Sequence, residues 1–404
     1  QTLVVGELSL AGAVRPVRGV LNMVHDGLAR GITRWIVPDA NASEAAAVPG
    51  VDVTPASTVL EVAQILTGHA EARPVAPAQW SEATAAPWLD MKHIRGQTQA
   101  RRAVEIAAAG GHALLMTGPP GAGKTMLSRA LVGLLPRLSY QERMETSRIY
   151  SVAGLLPRGQ LVPRRPFRAP HHTASAAALI GGGPGTPRPG EVSLAHRGVL
   201  FLDEFPEFDR SVREVLRQPM ESGEVIIGRS RQTIRFPAAF QLIATMNPCP
   251  CGYRHCKGPR RCTCSEALAA RYQQRVSGPM LDRFDLRVTC QAVSREALLG
   301  LPTGEDSATV RGRVEAARKR QQERLVDSPW TCNSDIAGEE LETLVRLDAE
   351  THSLVERVMD SLGMSARGFH RAARVARTIA DLDDSGEVKR KHFAEALLYR
   401  GATE

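Results

Sequence analysis

The stretch Gly118-Pro119-Pro120-Gly121-Ala122-Gly123-Lys124-Thr125 decides the fold. It fits G-x-x-x-x-G-K-[ST], a loop whose backbone N–H groups cradle phosphate oxygens. An apolar run, Ala113 to Met116, precedes it and is predicted to be a buried strand. Met126, Leu127, Ala130, Leu131 and Leu134 follow at helical spacing from about Lys124. Strand, glycine-rich loop and helix in that order are the context the motif requires. Gly118, Gly121 and Gly123 let the loop curl, and the helix N-terminus adds partial positive charge beneath it. Lys124 is expected to reach the β- and γ-phosphates of ATP, and the Thr125 hydroxyl to ligate Mg²⁺. The chain is thus expected to bind a nucleoside triphosphate.

Downstream, the apolar run Val199–Leu202 ends in Asp203-Glu204. Placed after a phosphate loop, such a pair is expected to hold Mg²⁺ through water at Asp203 and to polarise the attacking water at Glu204. Glu224–Ile227 and Gln232–Phe236 read as a β-hairpin joined at Gly228-Arg229-Ser230-Arg231. Arg229, Arg231 and Arg235 crowd it, with no acid among them. A solvated hairpin needs some charge, but three arginines are a lopsided choice for solubility alone. Gln241 to Met246 is a further apolar strand, ending at Asn247.

Immediately after comes CPCGYRHCKGPRRCTC. Cys249 and Cys251 form one C-x-C pair and Cys262 and Cys264 another, and two such pairs suit a tetrahedral, structural Zn²⁺. Cys256 lies between them and is an alternative ligand. Five of the seven cysteines fall in this run, which argues against a disulfide framework and for a reducing, cytoplasmic compartment. Cys290 and Cys332 stand alone and read as small buried apolar residues.

With 404 residues, two or three domains are expected. No run of 18 apolar residues exists to span a membrane. The first residue is Gln1 and no signal-peptide pattern follows it, so a piece of a longer protein is expected. The formal charge of +8 is uneven: residues 101–290 carry +13, and the flanks carry −2 and −3. A basic excess around the nucleotide motif is expected to face a polyanion, DNA, although some arginines must serve ATP.

Residues 1–68 alternate short apolar runs with turns and two helical stretches, the pattern of a small α/β unit. His69 to Trp88 is rich in Ala, Pro and Glu and reads as a linker. A helix is predicted over GQTQARRAVEIAAAGG, ahead of the P-loop strand. Met144 to Gly190 shows little periodicity and many Pro and Gly, so it reads as a long surface insertion of the kind that is often functional. His171-His172 within it has no Cys or carboxylate beside it in sequence, which makes it poor evidence for a metal. After a strand at Leu286–Val288 the chain is helical to its end.

The runs RPFRAPHHTAS, PGEVSLAHRGVLFLDE, NPCPCGY, SGPMLDRFD and SARGFHRAARVARTIADL resemble the ComM/YifB group of magnesium-chelatase-like AAA+ ATPases. The resemblance implies a three-layer α/β/α P-loop core with a C-terminal helical lid. It implies a homo-hexameric ring, with Asn247 sensing the γ-phosphate, Arg283 as an arginine finger and Arg367 as a second sensor. It also makes the hairpin a pore loop contacting DNA through Arg229, Arg231 and Arg235, and the activity branch migration of DNA during recombination or uptake. The opening run GELSLAGAVRPVRGVLNMV resembles part of the Lon-protease-like fold. Leu21 stands where a catalytic Lys would be, so proteolysis is not expected. The expected division is 1–68 Lon-like, 69–88 linker, 89–290 ATPase core and 291–404 lid. A magnesium chelatase subunit and a protein-remodelling ATPase remain alternatives.

Overall fold

The computed structural model describes residues 1–76, 88–156, 160–183, 186–229, 232–254, 260–293, 304–337, 340–345 and 365–400, with 347, 348, 350, 351, 353 and 355. The sequence's first apolar runs form a three-stranded parallel sheet, β1 (Thr2–Val4), β2 (Arg34–Pro38) and β3 (Asp52–Ala56) in that spatial order. Helices α1 (Val20–Leu28), α2 (Asp39–Ala45) and α3 (Val59–Leu66) accompany them. Trp35, Val37 and Val53 are buried with Leu21 in one small core. The segment predicted as a linker does not leave at once, because the Val75 N–H donates to Val53 O at 2.9 Å.

Helix α4 (Thr98–Gly110) leads through Gly111, whose φ of 74° ends the helix, into β4 (Leu114–Thr117). The P-loop and α5 (Lys124–Leu134) follow, then α6 (Tyr140–Ala153) and β5 (Phe167–Arg168). Next come α7 (Ala176–Ile180), β6 (Val199–Leu202), the hairpin β7 (Glu224–Arg229) and β8 (Gln232–Pro237), then β9 (Gln241–Met246) and β10 (Leu286–Thr289). The main sheet is parallel throughout, in the order β10-β4-β9-β6-β5. Its inner strands are buried on both faces, which is why they read as unbroken apolar runs. Leu114, Met116, Val199, Phe201 and Ile243 point into the core shared with α4 and α5. Their neighbours Leu115, Leu200, Leu202, Leu242 and Ala244 point into a second core, with Phe205, Phe208 and Val225. Alternation along the strands thus builds three layers.

Met144–Gly190 is not simply a surface insertion. Its first residues belong to α6, capped by a reciprocal Ser139–Glu142 box, with Met144, Thr146, Ser147, Ile149 and Ser151 buried. Most of that buried face is polar, so no apolar period marks it. Helix α6 also joins the N-terminal unit to the core: Met144 packs with Val20, Leu21 and Val24. Arg148 bonds the Asn22 amide at 2.8 Å and Asp26 at 2.9 Å. Farther on, β5 adds the last strand to the sheet.

The C-terminal helices α8 (Ser307–Arg324), α9 (Glu340–Val345), α10 (Ala366–Leu382) and α11 (Arg390–Leu398) bury Val314, Ala376, Ile379 and Phe393 in the α4 core. Within the stretch predicted as helical to its end, Thr351–Leu362 lies largely outside the described residues. A buried polar chain crosses the seam. Arg324 grips both oxygens of Asp381 at 2.8 Å, and the fully buried Arg377 reaches the same carboxylate at 3.0 Å. Asn333 links Asp381 to Thr378, whose hydroxyl lies 2.7 Å from His112 Nε2. His112 Nδ1 then faces Asp285 at 3.2 Å. Burial pushes the Asp285 carboxyl up, but the Arg374 guanidinium and His112 together hold it below 3.8. The stability it contributes is therefore present at neutral pH and lost as pH falls through the lowered folded value.

Asp381 compensates two guanidiniums at once. Asp381→Ala is expected to lower the unfolding free energy by about 3–5 kcal/mol, since it strands buried charge. Denaturant titration checks this; a loss under about 1 kcal/mol, the scale of an exposed pair, would show that the seam does not depend on it.

Candidate active site

Three parallel strands end at one edge of the sheet, and each delivers a predicted residue there. The P-loop leaves β4 with Gly118 donating its N–H to Met246 O, 3.1 Å away at the end of β9. Gly121 and Gly123 have φ of 78° and 85°, a conformation other residues adopt only at a cost. Lys124, at the first turn of α5, is buried. Its Nζ donates to Gly118 O at 2.6 Å, Pro119 O at 2.9 Å and Asn247 Oδ1 at 3.2 Å. The ammonium therefore lies inside the curl of Gly118, Pro119, Pro120 and Ala122, bonded to groups that a phosphate can replace.

From β6, Asp203 meets the loop: Thr125 Oγ1 donates to Asp203 Oδ2 at 3.1 Å. The other carboxylate oxygen accepts from the Thr245 hydroxyl and from the Glu204 N–H, the latter at 3.1 Å. A hydroxyl and a carboxylate oxygen side by side are the hard oxygen donors that Mg²⁺ takes, so the residues fit that ion. Glu204 stands half exposed with φ 53°, a left-handed conformation held by the bonds of its N–H to Asp203 and to Thr245 at 3.2 Å. Strain of this sort aims a side chain that an unstrained turn would aim elsewhere.

Several neighbours were not legible in sequence. Thr245, inside β9, bridges to Asp203 and Glu204. His172 Nδ1 stands 3.7 Å from Glu204 Oε2, so the paired histidines face this edge rather than a metal cluster of their own. Gln97 donates to Ala122 O at 3.0 Å and lines a cleft of about 240 Å³ between Arg95–Ala100 and Thr289–Val293, beside the P-loop. Only an aromatic buried next to a polar strand end could have hinted at Tyr272, whose hydroxyl is pushed up to about 12 by burial.

Arg283 and Arg367 are not part of this cluster. Arg283 donates to Pro279 O at 2.8 Å and pairs with Glu221, while Arg367 is exposed in the first turn of α10. In the hairpin, Glu224 pairs with Pro237 and Arg229 with Gln232 in antiparallel register. Arg235 is exposed but not unpartnered, lying 3.5 Å from Glu224 Oε1. Arg231 and the side chain of Arg229 lie outside the described residues.

The four thiols of Cys249, Cys251, Cys262 and Cys264 lie within 4.8 Å of one another. The C-x-C pairs thus converge as predicted, and Cys256 lies outside the described residues. Backbone N–H groups of Tyr253 and Thr263 hold the Cys251 thiol down at about 6. Four sulfurs so placed fit a closed tetrahedral site for a thiophilic ion. Cys290 and Cys332 are buried away from it.

Comparison with known proteins agrees with this geometry. Residues 90–298 match the family "Magnesium chelatase, subunit ChlI", and residues 304–400 match its C-terminal part. The chain is 42% identical over 401 residues to the competence protein ComM of Haemophilus influenzae, covering 98% of this chain and 77% of that protein. It is 42% identical over 399 residues to YifB of Escherichia coli, covering 98% and 76%. It is 27% identical over 171 residues to the magnesium-chelatase 38 kDa subunit of Cereibacter sphaeroides, covering 38% of this chain and 51% of that one. The phosphate loop, the acidic strand end and these matches agree: the chain belongs to the magnesium-chelatase-like AAA+ family, in its ComM/YifB group.

Proposed function

We propose that this chain is one subunit of a homo-hexameric, Mg²⁺-dependent ATPase that remodels DNA, with branch migration as its reaction. The convergence of Lys124, Thr125, Asp203, Glu204 and Asn247 on one sheet edge carries the ATPase reading. In it, Lys124 exchanges its loop carbonyls for phosphate oxygens, and Asn247, already 3.2 Å from Lys124, senses the terminal phosphate. Thr125 and Asp203 hold Mg²⁺, which when bound neutralises developing phosphate charge. Glu204 accepts a proton from the attacking water, aimed by its Thr245 and Asp203 contacts. The cysteine cluster holds a structural Zn²⁺. The compartment is cytoplasmic, and the working division of the chain is 1–68, 69–88, 89–290 and 291–404.

The DNA reading rests on the charge of +13 over residues 101–290, on the arginine hairpin, and on the kinship to a competence protein. Many arginines of that segment are committed within the fold, Arg165 to Glu142 and Arg168 to Glu191 among them. The hairpin arginines and the exposed Arg260 and Arg261 of the cysteine loop are among the candidates for a polyanion. The identity to a chelatase subunit supports a second reading, metal insertion into a tetrapyrrole, which gives those arginines no task.

Lys124→Ala is expected to abolish ATP binding, and Glu204→Gln to bind ATP without turnover. Normal turnover by Glu204→Gln would remove it as the base.

Arg283 makes no contact with its own site's residues, which supports action on a neighbouring subunit with an effect of about 10³–10⁵ in rate. Mixing Arg283→Ala with Lys124→Ala subunits should recover activity at the interfaces that combine intact halves. Mixed rings with no recovery would exclude a finger there.

Replacing Arg229, Arg231 and Arg235 together with Ala should cripple DNA binding and strand displacement while sparing basal ATP hydrolysis. Phosphate contacts of this kind weaken steeply with salt. Unchanged DNA affinity in the triple variant would move the DNA site elsewhere, and no DNA effect of any kind on the unmodified ring would favour the chelatase reading.

A further inference from the structure

We infer that the cysteine cluster is the rear wall of the nucleotide site, and that metal bound there fixes the P-loop turn through Gly252, a positioning residue. The inference rests on the nucleotide and metal readings above. Both meet in the run from Met246 to Gly252. Met246 O accepts the first N–H of the P-loop, and Asn247 Oδ1 accepts from Lys124 Nζ. Cys249 and Cys251 supply two of the four sulfurs. The next residue, Gly252, folds back with its N–H on Cys249 O at 2.9 Å.

Gly252 lies directly on the P-loop. A Cβ at this position would come within 2.6 Å of Pro120 Cδ and 2.9 Å of Pro120 Cγ. Its φ of 85° is a second reason for glycine. The contact is between backbone and a proline ring, so neither side can rotate out of the way. Opposite faces are braced as well. Pro248 O accepts from Gln273 Nε2 at 3.2 Å. There is consequently no slack between the sulfurs and the phosphate loop. A metal bonded to all four sulfurs ties the Cys249–Gly252 turn to the chain at Cys262 and Cys264, and ordering of such loops is part of metal binding free energy. With fewer bonds the turn loses its anchor, and Pro120 and Asn247 lose theirs.

The sequence spacing has the same sense. A C-x-C pair set one residue beyond the Asn leaves only Pro248 between the phosphate-facing amide and the first sulfur. A zinc knuckle built for local folding alone has no need to stand so close.

The test uses the full chain, purified with its zinc, and a fluorescent non-hydrolysable ATP analogue. Zinc content of about one per chain is expected. Stripping zinc with a chelator should weaken analogue binding about tenfold, within the usual range of coupling between sites. Saturating analogue should raise zinc affinity by the same factor, as linkage requires. Gly252→Ala leaves the thiols intact and should keep its zinc while losing analogue affinity by a similar factor. Zinc present with analogue affinity unchanged on stripping and in Gly252→Ala overturns the inference and leaves both underlying readings standing. No zinc in the purified protein overturns the metal reading and the inference with it. Zinc-loaded protein that fails to bind the analogue overturns the nucleotide reading instead. Should stripped protein unfold, Gly252→Ala alone decides, since its metal is untouched.

Discussion

The parallel pairing of β4, β9 and β6 is the constraint on which the site depends. Parallel strands in register end together, so the loop after Thr117, the amide after Met246 and the carboxylates after Leu202 arrive at one edge without further instruction. Hydrogen bonds then refine what the register begins. The Gly118 N–H locks the loop to β9, and Thr245 locks β9 to the acidic turn of β6. Because these strands are buried on both faces, a shift in any one of them would misplace its apolar side chains as well as its functional residue. The chemistry is protected by the same packing that makes the fold.

Much of this was legible because the local signals supported one another. A glycine-rich loop between a strand and a helix has few physical readings, and an apolar run closing on Asp203-Glu204, common by itself, becomes telling once it follows such a loop. The sheet's buried strands showed as unbroken apolar runs, and Cys290 and Cys332 proved to be the small buried residues that their isolation implied. What escaped did so for definite reasons. Helix α6 is buried by polar side chains, Arg143, Thr146, Ser147 and Ser151 among them, so periodicity in hydrophobicity could not reveal it. Thr245 lies within an apolar strand and owes its role to a neighbour 42 residues away. His172 faces Glu204 only because β5 pairs with β6, a topological fact that spacing does not encode.

The arginine content shows a similar division. Read as a sum, it marks a polyanion-binding face; read by partner, many of these side chains are internal fastenings. Arg165 spans Glu142 and the carbonyls of Pro136 and Arg197, stitching the segment before β5 to α6 and to the entry of β6. Arg213 binds the carbonyls of Pro206 and Arg275, with its charge partly desolvated. A guanidinium has five donors in a planar fork, and such positions exploit that geometry more than the charge. Net charge is therefore a fair guide to the existence of a basic face and a poor guide to its members.

The ion network at Asp381 has a thermal consequence. Hydration of charged groups becomes less favourable with rising temperature, so the cost of keeping Arg324, Arg377 and Asp381 out of water falls as the protein warms. Apolar stabilisation per unit area levels off over the same range. The packing of α8 against α10 thus gains weight relative to the rest of the core on heating. Helices α8 and α10 are thereby held together by charge more firmly, relative to the apolar core, the warmer the protein becomes.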